Sequence, residues 1–232
     1  NPYKLVFEGK IIEKKEIKKN QLLCETYYTA ISPGTETAAY TGKPPLSSNI
    51  TYPRLLGYCN VSKILKIGRG VNSFRPGQFI LTFSSHCSHS IINEKDVLCI
   101  LPDGINKKFA ACAYLFHLGY NAVISTGICY GAYVTVIGLG FIGLATIKMA
   151  INAGAKVFAI SDSKVTSDLA INIGAHAVYN RNNYMEIAVE YGERLCDYVI
   201  TTTNSWDDWR ISLKLAGNRS TIGVVGFPGR DK

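Results

Sequence analysis

The seven cysteines of this 232-residue chain, Cys24, Cys59, Cys87, Cys99, Cys112, Cys129 and Cys196, include no C-x-x-C pair. Nothing is therefore available to start a zinc knuckle or a dithiol redox motif, and the odd, scattered set reads as free thiols of a reducing cytoplasm. Long apolar runs are lacking as well. The most apolar stretch, VTVIGLGFIGLATI from Val134 to Ile147, is shorter than a membrane span and carries three glycines, so it reads as a buried strand leading into a helix. Neither a transmembrane segment nor a signal peptide is expected, and there is no internal repeat or low-complexity tract. Acidic residues are the scarcer charge: the net charge is +8 and the pI about 9.1. Five lysines crowd into GKIIEKKEIKKN, residues 9–20, but Glu13 and Glu16 interrupt them and no aromatic residues are interleaved as single-strand binders need. A solvated hairpin between two N-terminal strands explains that run, so neither nucleic acid nor a membrane is expected as a partner.

What is present is an ordinary globular balance, 47% hydrophobic and 18% charged, long enough for one large or two small domains. The first half is rich in strands and turns. KLVFEG, LLCETYYTAI, NVSKILKIG and QFILTF have β-branched or alternating character, punctuated by Pro33-Gly34, Gly68, Gly70 and Pro76-Gly77. From about residue 108 a helical stretch, FAACAYLFHLGYNAVI, gives way to the short apolar strands YVTVIG, KVFAIS, AVYN, CDYVIT and STIGVVG, separated by segments of helix length. That alternation predicts an α/β fold with a parallel sheet covered by helices on both faces.

One motif carries chemistry. Gly138, Gly140 and Gly143 form G-x-G-x-x-G, with Leu139, Phe141 and Ile142 between them, directly after an apolar strand and at the opening of the helix LATIKMAINAG. In this pattern the first glycine makes a tight turn, the second lets the backbone approach a pyrophosphate, the third lets helix pack on strand, and the helix N-terminus stabilises the negative charge. A nicotinamide dinucleotide is the expected ligand. The next strand ends at Ser161, 23 residues after Gly138, followed by Asp162, Ser163 and Lys164. An acidic residue there favours NAD(H), whereas a small polar residue with a nearby cation favours NADP(H). Ser161 and Lys164 tip the reading towards NADP(H) and Asp162 towards NAD(H), with NADP(H) slightly preferred. Thr202 and Gly226, after the later strands, complete the candidate cofactor-binding set.

A small β domain followed by a nucleotide-binding domain with this linker helix resembles the medium-chain dehydrogenase/reductase family, the alcohol dehydrogenase relatives. FRPGQFIL resembles the family's F-x-x-G-D-x-V segment, GAKVFAI with INIGAHAVYN its second and third nucleotide-domain strands, and VIGLGFIG its cofactor loop. The resemblance implies a GroES-like domain over residues 1–115, a Rossmann-type doubly wound domain over 116–232, and an active site in the cleft between them. It also implies that the C-terminal part of the family fold is missing, because a sixth strand and a return to the first domain have no counterpart here. Zinc enzymes of the family place ligands in C-G-T-D, in G-H-E and near the linker helix; this chain has Pro33-Gly34-Thr35-Glu36, Gly57-Tyr58-Cys59 and Tyr114. Zinc independence is the expectation. The remaining metal-like cluster, His86-Cys87-Ser88-His89, would as a strand put only Cys87 and His89 on one face.

The G-T-E and G-Y combination is most similar to the bacteriochlorophyllide dehydrogenase-like branch, which handles a secondary alcohol or ketone on a large substrate. The resemblance implies Tyr58, at the vacated ligand position, as proton donor or acceptor, with Glu36 behind it, Thr35 matching the relay hydroxyl and Tyr114 as the next candidate. Packing remains the other reading of Tyr58, and Cys59 reads as packing. Three functions stay open: hydride transfer between a nicotinamide and a small-molecule carbonyl or alcohol, reduction of an activated C=C bond as in zinc-free quinone or enoyl reductases, and dinucleotide binding without catalysis. A homo-oligomer is compatible with each.

Overall fold

The structure, a computed structural model, describes residues 1–12, 17–43, 51–192 and 195–226. Glu13 and Glu16, and with them the core of the expected basic hairpin, lie outside the described residues. The chain divides into two compact units, Asn1–Tyr114 and Leu115–Lys232.

The first unit is built on a five-stranded antiparallel sheet. Its strands are β1 (Gln21–Thr29), β2 (Asn60–Ile67), β3 (Phe79–Thr82), β4 (His89–Asn93) and β5 (Val97–Ile100), in the order β4-β1-β2-β3-β5. Alternation puts Leu22 and Cys24 of β1 beside Ile64 of β2 and Ile80 of β3, with Val71 closing the cluster. Each fully buried aliphatic side chain of this kind contributes about 1.5–3 kcal/mol. A second small cluster, Val61, Leu81, Leu101, Ala110 and Ala111, joins the sheet to the short helix α2 (Lys107–Ala110).

Three expectations are corrected here. KLVFEG forms no strand among the described residues; Leu5, Val6 and Phe7 are exposed, because no neighbouring strand offers its backbone a ladder. Pro33-Gly34, read as turn punctuation, opens helix α1 (Pro33–Thr41) instead. Proline is well suited to a first helical position, where its missing N–H is no loss. The His86-Cys87-Ser88-His89 cluster is not a strand: β4 begins only at His89, so the strand geometry that was to put Cys87 and His89 on one face does not hold.

The second unit opens with most of α3 (Ala113–Thr126), then β6 (Tyr133–Ile137), α4 (Phe141–Asn152), β7 (Lys156–Ile160), α5 (Lys164–Asn172) and β8 (Ala177–Tyr179). It continues with α6 (Glu186–Tyr191), β9 (Cys196–Thr201), α7 (Trp206–Leu215) and β10 (Ala216–Val224). All strand pairs are parallel, in the order β10-β9-β6-β7-β8. The near-continuous apolar strands β6 and β7 are buried almost throughout, as strands covered on both faces must be. One layer of core gathers Val134, Val136, Ile147, Ala150, Val157 and Ala159; the other gathers Ile137, Phe158, Ile160, Ile187, Val199 and Leu215. Within this unit α3 approaches α4 closely at Gly119, where an added Cβ would lie 2.7 Å from the Thr146 amide nitrogen and 2.8 Å from the Ala145 Cβ. The order reverses between β6 and β9: β7 and β8 lie on one side of β6, β9 and β10 on the other. Sheets of this kind bind ligands at such a reversal, outside the carboxyl ends of the strands, here β6 and β9.

Candidate functional site

Gly138 sits at the carboxyl end of β6 with φ +88°, a conformation natural only to glycine. A Cβ there would also lie 2.2 Å from the Thr203 Cγ2. Gly143 has no room either, since its Cβ would come within 2.0 Å of the Gly138 carbonyl oxygen. Gly140 is different. Its φ is −71°, acceptable to any residue, and an added Cβ would meet nothing within 4 Å. The chain's own packing thus explains Gly138 and Gly143 but leaves the space above Gly140 free, at the N-cap of α4, where no side chain caps the first turn. Exposed helix N–H groups facing open space suit an anion such as a pyrophosphate.

Thr202 and Gly226 join this turn. The Thr202 hydroxyl donates to the Gly138 carbonyl at 2.9 Å, and the Gly226 amide donates to the Thr201 carbonyl at 3.2 Å. A Cβ on Gly226 would lie 2.5 Å from the Thr203 carbonyl oxygen. Leu139 is buried, and Phe141 stacks edge-on against Phe116 with centroids 5.0 Å apart.

Beyond β7, Ser161 pairs with the Thr166 hydroxyl at 3.2 Å, while Ser163 caps α5 and Lys164 is exposed at its first position. Asp162 is not open. The Arg181 backbone amide donates to its Oδ1 at 2.9 Å and the Arg181 guanidinium to its Oδ2 at 2.5 Å. These bonds, the amide's foremost, hold the Asp162 carboxyl below the usual carboxylate range. The same guanidinium makes a two-pronged bond to the fully buried Asp208 at 2.7 and 2.8 Å, which further favours its charged form. Thr203 also donates to Asp208, at 2.6 Å. Arg181, two residues past β8, was missed in the sequence; only its position directly after the predicted strand AVYN could have flagged it.

In the first unit the Gly57-Tyr58-Cys59 segment is fixed at both ends. The His86 amide donates to the Leu56 carbonyl at 2.7 Å and the Ala30 amide to the Cys59 carbonyl at 2.9 Å. Tyr58 is half-buried, with its hydroxyl 3.5 Å from Thr35 Oγ1, the long end of hydrogen-bonding range. Its ring meets Tyr114 edge-on at 5.8 Å, and Tyr114 meets Phe83 edge-on at 4.8 Å. Tyr58, Thr35 and Tyr114 therefore come together, but Glu36 turns elsewhere. Its Oε1 accepts from the Ser32 amide and its Oε2 faces His86 Nε2, both at 2.8 Å. Cys59 is buried and its thiol is pushed up to about 11, by burial first and then by Cys112 and Glu36 nearby, so it stays a neutral packing group. Among the described residues no group of three or more His, Cys, Asp or Glu side chains could hold a metal ion, and no helix is long and apolar enough to cross a membrane.

Comparison with known proteins fits this geometry. Residues 142–232 match the family model described as zinc-binding dehydrogenase. Mouse quinone oxidoreductase is 25% identical over 233 residues, covering 91% of this chain and 66% of that protein. An aldehyde reductase of Synechocystis is 25% identical over 213 residues, covering 76% and 62%. The chain thus spans just under two thirds of these curated relatives. Among solved structures, Escherichia coli galactitol-1-phosphate dehydrogenase superposes with TM-score 0.83 at 20% identity, over 97% of this chain and 72% of that one. A Sinorhizobium meliloti protein crystallised with NADP superposes with TM-score 0.81 at 21% identity, over 94% and 72%. Residues 142–232 thus resemble zinc-binding dehydrogenases in sequence, and the chain has the fold of these solved dehydrogenases.

Proposed function

We propose that this chain acts as a zinc-independent, NAD(P)(H)-dependent oxidoreductase on a carbonyl or secondary alcohol. The observation that carries the proposal is the free space above Gly140, framed by two glycines that packing demands, at the point where the sheet order reverses. Gly138 to Gly143, with Thr202 and Gly226 behind the turn, would hold the pyrophosphate. The nicotinamide, when bound, supplies or accepts the hydride. NADP(H) is the favoured form, because both Asp162 oxygens are engaged by Arg181 and the ribose edge is left with Ser161 and Lys164. A carboxylate already spent on two hydrogen bonds is a poor acceptor for a ribose 2′-hydroxyl, whereas a lysine beside a serine suits a phosphate.

Tyr58 is the proposed proton donor. Reduction of a carbonyl leaves charge on oxygen, and without a Lewis acid that charge needs a positioned hydroxyl. Thr35 lies at the long end of hydrogen-bonding range from the Tyr58 hydroxyl, and Tyr114 fixes the ring from its edge. The aromatic surround of Tyr58, Tyr114 and Phe83 supports a large ketone or alcohol of the kind suggested by the G-T-E and G-Y motifs. Zinc independence is supported by Pro33, Tyr58 and Tyr114 at the family's ligand positions, none a good zinc donor. The mouse relative named quinone oxidoreductase favours a second reading, reduction of an activated C=C bond. The test is product analysis with NADPH on a ketone and on an enone or quinone, alongside elemental analysis of the dialysed protein. Alcohol formed from ketone supports the first reading and saturation of C=C the second; about one zinc per chain would contradict zinc independence.

A further inference from the structure

His86 is an ionisable side chain of the first unit that the proposed reaction leaves unused, and its surroundings are specific. Nε2 lies 2.8 Å from Glu36 Oε2, and Nδ1 lies 2.7 Å from Thr29 Oγ1. Glu36 and His86 are largely covered, with 12% and 26% of their side chains exposed, while Thr29 at the end of β1 is exposed. An ionised carboxylate can only accept, so Nε2–H donates a hydrogen bond to Glu36; in the neutral ring Nδ1 then accepts from the Thr29 hydroxyl. The chain makes room for this ring at Gly57, where φ is +92° and an added Cβ would lie 2.7 Å from the imidazole. A residue next to Tyr58 is thus held as glycine both by its backbone conformation and by His86.

Glu36 occupies the first turns of α1, one residue after Thr35, and its other oxygen fastens the Ser32 amide at the N-cap. We infer that His86 is a positioning residue, clamping Glu36 and through it the first turn of α1, so that the Thr35 hydroxyl stays opposite Tyr58. The inference rests on the proposed role of the Tyr58 hydroxyl. The clamp has three parts from three segments: Thr29 from β1, Glu36 from α1 and His86 from the loop after β3. His86 is joined to each of the other two by a bond shorter than 3 Å.

Two variants separate clamping from packing. His86→Gln keeps an N–H donor for Glu36, and His86→Phe keeps a ring but no donor. In the full-length chain the tyrosine ring carbon next to the hydroxyl is followed by NMR, with the Tyr58 signal identified by its loss in Tyr58→Phe. The signal is expected to move in His86→Phe and to stay near its parent position in His86→Gln, with similar melting temperatures for the two. With NADPH and the aromatic diketone phenanthrenequinone, kcat should fall about 10-fold or more in His86→Phe and recover in His86→Gln, since small misplacements of reacting groups cost that much. KM for NADPH should not change in either. Equal Tyr58 shifts in both variants, or none in either, would overturn the inference. A parent protein without reductase turnover would instead defeat the proposed function, and the NMR comparison would still decide whether His86 sets the Tyr58 environment.

Discussion

In the proposed function Tyr58 carries the chemistry and Arg181 bears on the cofactor preference. If the Tyr58 hydroxyl donates the proton, Tyr58→Phe lowers kcat by about 10²-fold or more, the typical contribution of a positioned general acid. Cofactor affinity, measured by calorimetry, should stay the same, since Tyr58 lies in the first unit and the glycine turn in the second. Arg181 has two effects that one variant exposes together. Arg181→Ala frees Asp162 to meet a ribose hydroxyl, so the ratio of NADPH to NADH affinity should fall. It also leaves Asp208, buried completely, without its guanidinium partner, which costs about 3 kcal/mol in chemical denaturation. A variant as stable as the parent, with an unchanged affinity ratio, would remove Arg181 from both roles. Tyr58 was visible in the sequence because a family motif pointed to its position. Arg181 was not, and His86 stood out only in a metal-like cluster, because each acquires this meaning from partners 19 to 57 residues away, which no local spacing reveals.

At the scale of elements the turn between β6 and α4 makes the sharpest statement, because its three glycines are there for different reasons. Gly143→Ala must push a methyl against the Gly138 carbonyl, and Gly138→Ala must hold φ near +88° against Thr203. Each should lower stability by about 1–3 kcal/mol, the usual cost of overpacking, and so lower the melting temperature. Gly140→Val should leave the melting temperature almost unchanged, because its side chain would enter open space. The β6, α4 and β7 sequence was legible for a physical reason: strands buried on both faces read as apolar runs, and a glycine turn separates them from the helix. KLVFEG had the same local character without a strand to pair with, and Pro33-Gly34 had turn composition but served a helix start. Pairing partners and helix caps are tertiary facts, and those are the places where local composition misled.

For the whole molecule, the buried thiols set an alkaline limit. Cys24, with Leu22, Ile64 and Ile80 around it, is pushed up to about 12 by burial. A group whose pKa is raised in the folded state contributes fully below its unfolded value near 9, and that contribution is lost as pH rises from there towards 12. At pH 10 the loss from Cys24 is about 1 kcal/mol. Urea denaturation from pH 8 to 10 should therefore show a shallower decline in Cys24→Val than in the parent; equal slopes would mean that Cys24 ionises as freely folded as unfolded. The proposed dinucleotide site at the turn between β6 and α4 is the central claim. Its most direct test is calorimetric titration of NADPH into the parent chain and into Gly140→Val. The account predicts saturable binding of one NADPH per chain in the parent and loss of most of that affinity in the variant at an unchanged melting temperature. Equal affinity in the two proteins, or no binding by the parent, would contradict it.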